Sequence, residues 1–365
     1  MLAGATFRIP YLYMNASCVR IAACLWAGLG ICLSALAKEE AFQPWQKKGR
    51  IMSPGFAGEK SSSILSAPCV VKLKNGKLRM YFWTVGKSWS KGHHVYAAEA
   101  SPKNPKKWKL IGEKPLLSPA LKGNVGDNGP SFPWVSPREK APWLMYFVSW
   151  GSWAKTGLSN RTSLALSEDE GITWKVTNEP HLPLGPKGTF DGGMTGSICI
   201  LREPDKKEPW RMWYTAGERY IMLLGQQRGI VHVGLATSRD GLSWRRHEKP
   251  ALSPRLDKVA PFEAVVSKPC VLKLNGTYHM WLSVYQMGEN RNGYRLGYAR
   301  SKDGLTWERA LDKEILPLTP GAFDSAHQSY PNVIEMGDEL WMFYVGNSFG
   351  STGIGLATMK KKELK

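Results

Sequence analysis

Residues Ser167 to Trp174 read "SEDEGITW". Two shorter relatives follow, "SRDGLSW" from Ser238 to Trp244 and "SKDGLTW" from Ser301 to Trp307. Each ends on a Trp and sets an Asp and a Gly a few residues ahead of it. Such self-similarity is to be sought before secondary structure, because it decides the architecture. With Trp108, which ends "SPKNPKKW", the anchors stand 66, 70 and 63 residues apart. A second anchor agrees. "LRMYFW", "WLMYFV", "WRMWYT", "YHMWLS" and "LWMFYV" place Met80, Met145, Met212, Met280 and Met342 at steps of 65, 67, 68 and 62. One unit occurs five times.

Each unit opens with a short apolar run such as "CVVKL" or "CVLKL", followed by a turn at Asn75-Gly76, Asn275-Gly276 or Gly337-Asp338. Asn-Gly between apolar runs is a strong hairpin signal. The Met-centred aromatic run comes next, then a variable loop, a small-residue run ("HVGLATS", "RLGYARS", "GIGLATM") and the Trp-bearing run. This reads as four short strands with no helical periodicity. A four-stranded unit repeated radially is a propeller blade, and closure of the ring limits exposed edges. The fold class is therefore all-β: a five-bladed β-propeller with four antiparallel strands per blade. The last unit lacks its Trp-bearing strand, while "FQPWQKKGRIMSP" near the start carries Trp45, 63 residues before Trp108. That N-terminal strand is expected to complete the last blade and close the ring. The blades fall at about 55–110, 120–180, 187–250, 255–315 and 321–360, the last joined by 42–54, within a single domain over 38–365.

Residues 1–37 read as a signal peptide. A basic start, the apolar run "IAACLWAGLGICLSAL" and Ala35-Leu36-Ala37 before "KEE" are the three parts of a cleavable leader. The run is short for a membrane span. Met14 is an alternative start. Export to a periplasmic or extracellular location is expected, with no membrane anchor. Cleavage would leave Cys69, Cys199 and Cys270, in the equivalent contexts "SAPCVV", "GSICIL" and "SKPCVL". These read as small buried hydrophobes, with neither the spacing of a metal site nor that of a disulfide scaffold. The net charge is +19, and +17 after the two leader arginines are subtracted. Such a surplus suits a polyanion, for example an anionic glycan, although scattered solvated lysines account for it more simply. No nucleic-acid module occurs, so carbohydrate is the expected partner of a monomer. No cofactor motif is present. A structural or pocket Ca2+ stays open.

In the turn itself, Asp accepts backbone amides and Gly supplies positive φ, a mechanical role that suits an element repeated blade after blade. The turn resembles the Asp box of sialidases, but those propellers have six blades. The whole pattern resembles the five-bladed propeller glycosidases, the superfamily of glycoside hydrolase families 43, 32, 68 and 130. It is most similar to bacterial propellers labelled glycosyl hydrolase-like. The matching stretches include "GDNGPSFPW", "RMWYTAGE", "FEAVVSKPCVLKLNGTYHMW" and "FDSAHQSYPNVIEMGDELWMFYVGNSFGSTGIGLA", and the likeness spans residues 42–360.

In a propeller the innermost strands line a central depression. The carboxylates just ahead of them are Asp127, Asp191, Glu263 and Asp324. Glycoside hydrolysis needs such a pair, one as acid and one as base or nucleophile. An Asx-like turn before the strand is the structural alternative for each. The resemblance implies a blade-three Glu as general acid, which sets Glu218 in "WYTAGERY" beside Glu263 as candidates for that role. His327, Arg161, Arg228, Arg291 and Arg295 are candidates for gripping substrate, and Trp150, Trp153 and Tyr220 for stacking on it. One departure stands out. Families 43 and 32 carry a catalytic Asp in blade one, whereas "GFAGEKSSSILSAPCV" has only Glu59 nearby. The sequence thus supports a glycosidase acting by carboxylate acid–base catalysis, with a non-catalytic glycan binder and a glycoside phosphorylase as alternatives. "GNSFG" (Gly346 to Gly350) fits a nucleophile-elbow pattern, but it joins two predicted strands and is set aside.

Overall fold

The computed structural model describes residues 45–58, 64–85, 92–120, 128–150, 160–177, 181–223, 225–256, 262–288, 293–309 and 315–364. The leader at 1–37 lies outside them. The described chain is almost entirely β. Strand β1 (Gln46–Met52) comes first. The first repeat then supplies β2 (Leu65–Lys72), β3 (Leu78–Val85), β4 (His93–Ala100) and β5 (Lys109–Leu110). The second supplies β6 (Gly129–Ser136), β7 (Trp143–Trp150), β8 (Arg161–Ser167) and β9 (Lys175–Val176). The third holds β10 (Met194–Arg202), β11 (Trp210–Leu223), β12 (Gln226–Ser238) and β13 (Arg245–Arg246). The fourth holds β14 (Phe262–Leu274), β15 (Thr277–Met287), β16 (Gly293–Ser301) and β17 (Glu308–Arg309). The last has β18 (Ser329–Met336), β19 (Glu339–Val345) and β20 (Ile354–Lys360).

Within every repeat, neighbouring strands pair antiparallel. The fourth place in the last sheet is taken by β1, which pairs antiparallel with β20. A single parallel bridge, Val231 to Val265, joins the third and fourth sheets. The first strands also lie side by side: β2 against β6, β6 against β10, β10 against β14, β14 against β18, and β18 against β2.

The two sequence anchors meet in the packing between sheets. In each sheet the residue after the anchor Met receives the Trp of the next sheet, edge to face. Trp174 packs on Tyr81, Trp244 on Tyr146, Trp307 on Trp213, Trp45 on Trp281 and Trp108 on Phe343, with ring centroids 5.9–6.2 Å apart. Such edge-to-face pairs add to the area they bury.

The turns beginning "SEDEG", "SRDG" and "SKDG" act as joints. The Asp169 carboxylate accepts from Ser167 Oγ, Thr173 Oγ1 and the amides of Ile172 and Thr173. Slight burial acts upward on its pKa, but these donors outweigh it and hold the carboxyl down at about 2. Asp240 and Asp303 repeat the arrangement. Gly171 has φ +86°, and a side chain there would strike the Tyr81 hydroxyl, which donates to its carbonyl. These aspartates are fully committed to their turns.

A second joint runs round the inner strands. Each has a residue at positive φ, namely Ala67, Phe132, Ser197, Lys268 and Tyr330, beside a register shift. The residue two further on is Cys69, Trp134, Cys199, Cys270 or Asn332, and four of the five accept a backbone N–H from the next sheet. Cys69 Sγ takes Val135 (3.3 Å), Cys199 Sγ takes Val271 (3.1 Å), Cys270 Sγ takes Val333 (3.1 Å) and Asn332 Oδ1 takes Val70 (2.9 Å). Trp134 instead carries the Lys268 ammonium 5.4 Å above its ring. The three thiols are free and buried, and burial pushes Cys69 up to about 11.

Candidate functional site

Where the first strands begin and the second strands end, residues of all five sheets enclose a cavity of about 290 Å3. Five aromatic residues lie on the side of the first, second and fifth sheets: Trp83, Phe132, Trp150, Tyr330 and Phe349, with Tyr294 of the fourth beside them. Phe132 meets Tyr330 edge-on at 4.9 Å and Trp83 at 5.4 Å. Tyr294 is 5.9 Å from Tyr330 and 5.7 Å from Phe349. Burial is the main cause that pushes the Tyr294 hydroxyl up to about 12 and raises Tyr330 as well, so both rings stay neutral. The other side is aliphatic: Val148, Met194, Val231 and Val265 around Gly196. A Cβ on Gly196 would come within 2.8 Å of Val148, so this wall is closely packed.

Polar groups are few. Asn160 is buried, its Nδ2 lies 3.8 Å from Met194 Sδ, and its Oδ1 has no partner among the described residues. Trp150 Nε1 donates to Ser131 Oγ at 2.6 Å. The Thr215 hydroxyl is used twice, donating to the Ser197 carbonyl and accepting from the Lys268 amide. Ser197 and Ser267 complete the set. No carboxylate lines the cavity among the described residues.

None of the expected carboxylates among the described residues lines the cavity. Asp191, Glu263 and Asp324 are each almost wholly buried in separate clasps. Asp191 accepts from Tyr214 Oη (2.8 Å) and Thr189 Oγ1 (2.8 Å) and faces Arg246 Nε at 3.6 Å. Asp324 accepts from Lys47 Nζ (2.6 Å), Gln328 Nε2 (2.8 Å) and Tyr344 Oη (3.1 Å). Glu263 is held by Arg309 and Arg255, each with a contact at 3.1 Å. Burial acts to raise the Glu263 pKa, but the two guanidinium groups outweigh it and hold it below the usual range. One rule covers all three. The cation two residues past the anchor Trp (Arg246, Arg309 or Lys47) reaches the carboxylate leading into its own sheet. That position always pairs with an alanine of the third strand: Ala236, Ala299 and Ala357 here, Ala98 and Ala165 in the first two sheets. These clasps tie the crossing segment to the outermost strand.

Glu218 is placed differently. It directly follows Gly217, whose register partners Met194 and Val231 both line the cavity, and it is half-buried. From there β11 and β12 continue as a hairpin longer than any other, carrying the exposed Tyr220 and Met222. Trp150 is among the residues that line the cavity. Arg161 donates to the Asn160 carbonyl, and burial lowers its pKa. Arg295, at the equivalent position, donates to the Tyr294 and Ala326 carbonyls. Arg228 stacks 5.1 Å over the Tyr285 ring. The His327 ring lies against Gly293, and its amide donates to Asn347 Oδ1. Asp127, Trp153 and Arg291 fall outside the described residues. Among those described, no group of three His, Cys, Asp or Glu side chains is placed to hold a metal ion.

The sequence reading missed Asn160, Trp83, Phe132, Tyr294, Tyr330 and Phe349. A signal for two of them exists. Aligned on the inner-strand joint, "SAPC", "SFPW", "GSIC", "SKPC" and "SYPN" place Phe132 and Tyr330 at the positive-φ position.

No family model matches the chain. An uncharacterised protein of Mycobacterium tuberculosis, MT1551, is 26% identical over 320 residues, which is 87% of this chain and 99% of that protein. A 1,2-beta-oligomannan phosphorylase of Thermoanaerobacter sp. is 25% identical over 146 residues, 35% of this chain and 48% of the enzyme. Among solved structures, one described as a complex of BT0996 and RGII superposes with a TM-score of 0.68 at 18% identity, covering 87% of this protein and 92% of its counterpart. A structure from the GH130 family of mannoside phosphorylases, a family described as containing hydrolases of beta-1,2 mannosidic linkages in Candida mannan, gives 0.63 at 16% identity, over 89% and 96%. The chain thus has the fold of the glycosidase-like propellers.

Proposed function

We propose that the protein is an exported five-bladed propeller, its ring closed by β1, that takes a carbohydrate into the central cavity and acts on it as a glycoside hydrolase-like enzyme. The observation that carries this reading is the cavity itself. All five sheets contribute to it, aromatic faces dominate one side, and the buried Asn160 offers an unpartnered carbonyl oxygen. Aromatic platforms with a few fixed polar groups are what a sugar ring requires. The single domain and the closed ring are supported by β1 pairing with β20 and by the circular run of first-strand contacts. Export rests on the leader, residues 1–37.

Three of the five expected carboxylates are committed to clasps, so we assign the acid–base work to Glu218 and Asp127. Asp127 stands two residues ahead of β6, whose Phe132 lines the cavity. The resemblance gives Glu218 the acid's role: it would protonate the departing glycosidic oxygen, while Asp127 activates water or attacks the anomeric carbon. A purely binding role is the second reading, favoured by the lack of a carboxylate among the described lining residues.

The test is product release from a glycan panel by wild type, Glu218→Gln and Asp127→Asn, with and without inorganic phosphate, alongside glycan binding. Wild-type turnover lost in both variants with binding retained supports the enzyme. Turnover only with phosphate would show phosphorolysis. Binding unchanged in all three proteins, with no turnover in any, would establish the binder.

A further inference from the structure

Building on the reading of the cavity as a sugar site, we propose that the sugar it encloses is a 6-deoxyhexose, whose methyl group packs against the aliphatic wall. The cavity is at the low end of the roughly 300–1,000 Å3 usual for small-molecule sites, which suits one terminal ring better than an internal stretch of chain. Its two sides differ in chemistry. The aromatic side can take the C–H face of a pyranose. Val148, Met194, Val231 and Val265 stand on the other side, the last two as partners in the bridge between the third and fourth sheets.

The four aliphatic side chains themselves give a hydroxymethyl group no hydrogen-bond partner. The Thr215 hydroxyl is spent on the backbone and the Trp150 N–H on Ser131, while Asn160 and the Ser197 and Ser267 hydroxyls are left to serve the ring hydroxyls. A hydroxyl buried without a partner loses its water and gains nothing, whereas a methyl on the same carbon gains apolar burial. An apolar pocket discriminates against an added hydroxyl by roughly 10- to 100-fold.

The experiment uses sugars that differ only at C6: methyl glycosides of L-rhamnose and L-mannose, L-fucose and L-galactose, and D-quinovose and D-glucose. Their binding is measured by calorimetry on the full chain. At least one deoxy sugar is expected to bind tenfold or more tightly than its hydroxylated partner, a ratio worth about 1.4 kcal/mol. Val231→Thr and Val265→Thr keep the volume but add a hydroxyl, and each is expected to shrink that ratio by at least threefold, with a thermal melt reporting separately what the added hydroxyl costs the fold. Hexoses binding as tightly as their deoxy partners would overturn the proposal and leave the sugar site standing. Binding of none of the six, with larger glycans also failing, would overturn both. A preference that survives both valine substitutions would place the methyl elsewhere and sink the assignment.

Discussion

Replacing Glu263 with Gln separates a clasp from a catalyst. In the folded protein the carboxylate is buried and faces Arg255 and Arg309, whose side chains are 24% and 11% exposed. Gln keeps the shape but leaves both guanidinium groups without their counter-charge. Removing one partner of a fully buried pair costs about 3–5 kcal/mol. Arg255 still reaches water, so the lower end applies, about 3 kcal/mol. For a chain of this size that is a fall in Tm of roughly 4–5 °C. The pH dependence gives an independent reading. Because the arginines hold the folded pKa below its unfolded value of about 4.3, the stabilisation is present above that value. It is lost as pH falls through the folded pKa. Wild type and Glu263→Gln should therefore differ most in Tm near neutrality and converge toward pH 3. Scanning calorimetry from pH 3 to 7 reads both effects. A variant that melts within 1–2 °C of wild type at pH 7 yet has lost glycan turnover would refute the clasp and return Glu263 to the chemistry.

Three further outcomes follow from the joints. Asp169→Ala removes the acceptor of the turn at Ser167 to Trp174 and should cost about 1 kcal/mol, as loss of a comparable cap does, without altering glycan binding; a binding assay beside a thermal melt checks both. Its folded carboxyl is held down at about 2, so the stability from this turn should be full above about pH 4, decline steadily below it and be gone by about pH 2. Asn332→Leu leaves the Val70 amide unpaired in the inner-strand joint and should cost about 1–3 kcal/mol by urea unfolding. Trp45→Ala empties the seat on Trp281 and should cost about 3–5 kcal/mol, with hydrogen exchange accelerating first in β1 and β20.

The strand architecture was readable because it is repetitive. Each Trp anchor and each Met anchor performs the same packing task in every sheet, so one spacing reports it several times over. The turn aspartates were readable for the same reason. The cavity was not. Its lining residues differ from sheet to sheet: Trp83, Asn160, Met194, Val265 and Tyr330 share no pattern because each fills one part of an asymmetric space. The inner-strand bulge added to the difficulty. A residue preceding Pro favours extended backbone, yet Ala67, Phe132, Lys268 and Tyr330 precede Pro and have positive φ. This re-aims side chains that simple alternation along a strand would assign elsewhere.

The clasps also sharpen which carboxylates are free for chemistry, and that argument can be made from sequence once the rule is known. Asp191, Glu263 and Asp324 each have a Lys or Arg two residues past the anchor Trp of their own sheet, and each is bound by it. In the second sheet the corresponding residue, two past Trp174, is Val176, which pairs with Ala165 and is exposed. Val176 cannot supply the cation that serves the other three, so Asp127 stands apart from them by the composition of its own outer strand. Glu218 stands apart by position, since it follows the end of an inner strand pairing and does not precede a first strand. An ancestral unit bearing both carboxylate and cation would give five clasps. In this chain three repeats keep both, while the second has Asp127 without a cation at the clasp position, so it departs from the rule by the composition of its outer strand.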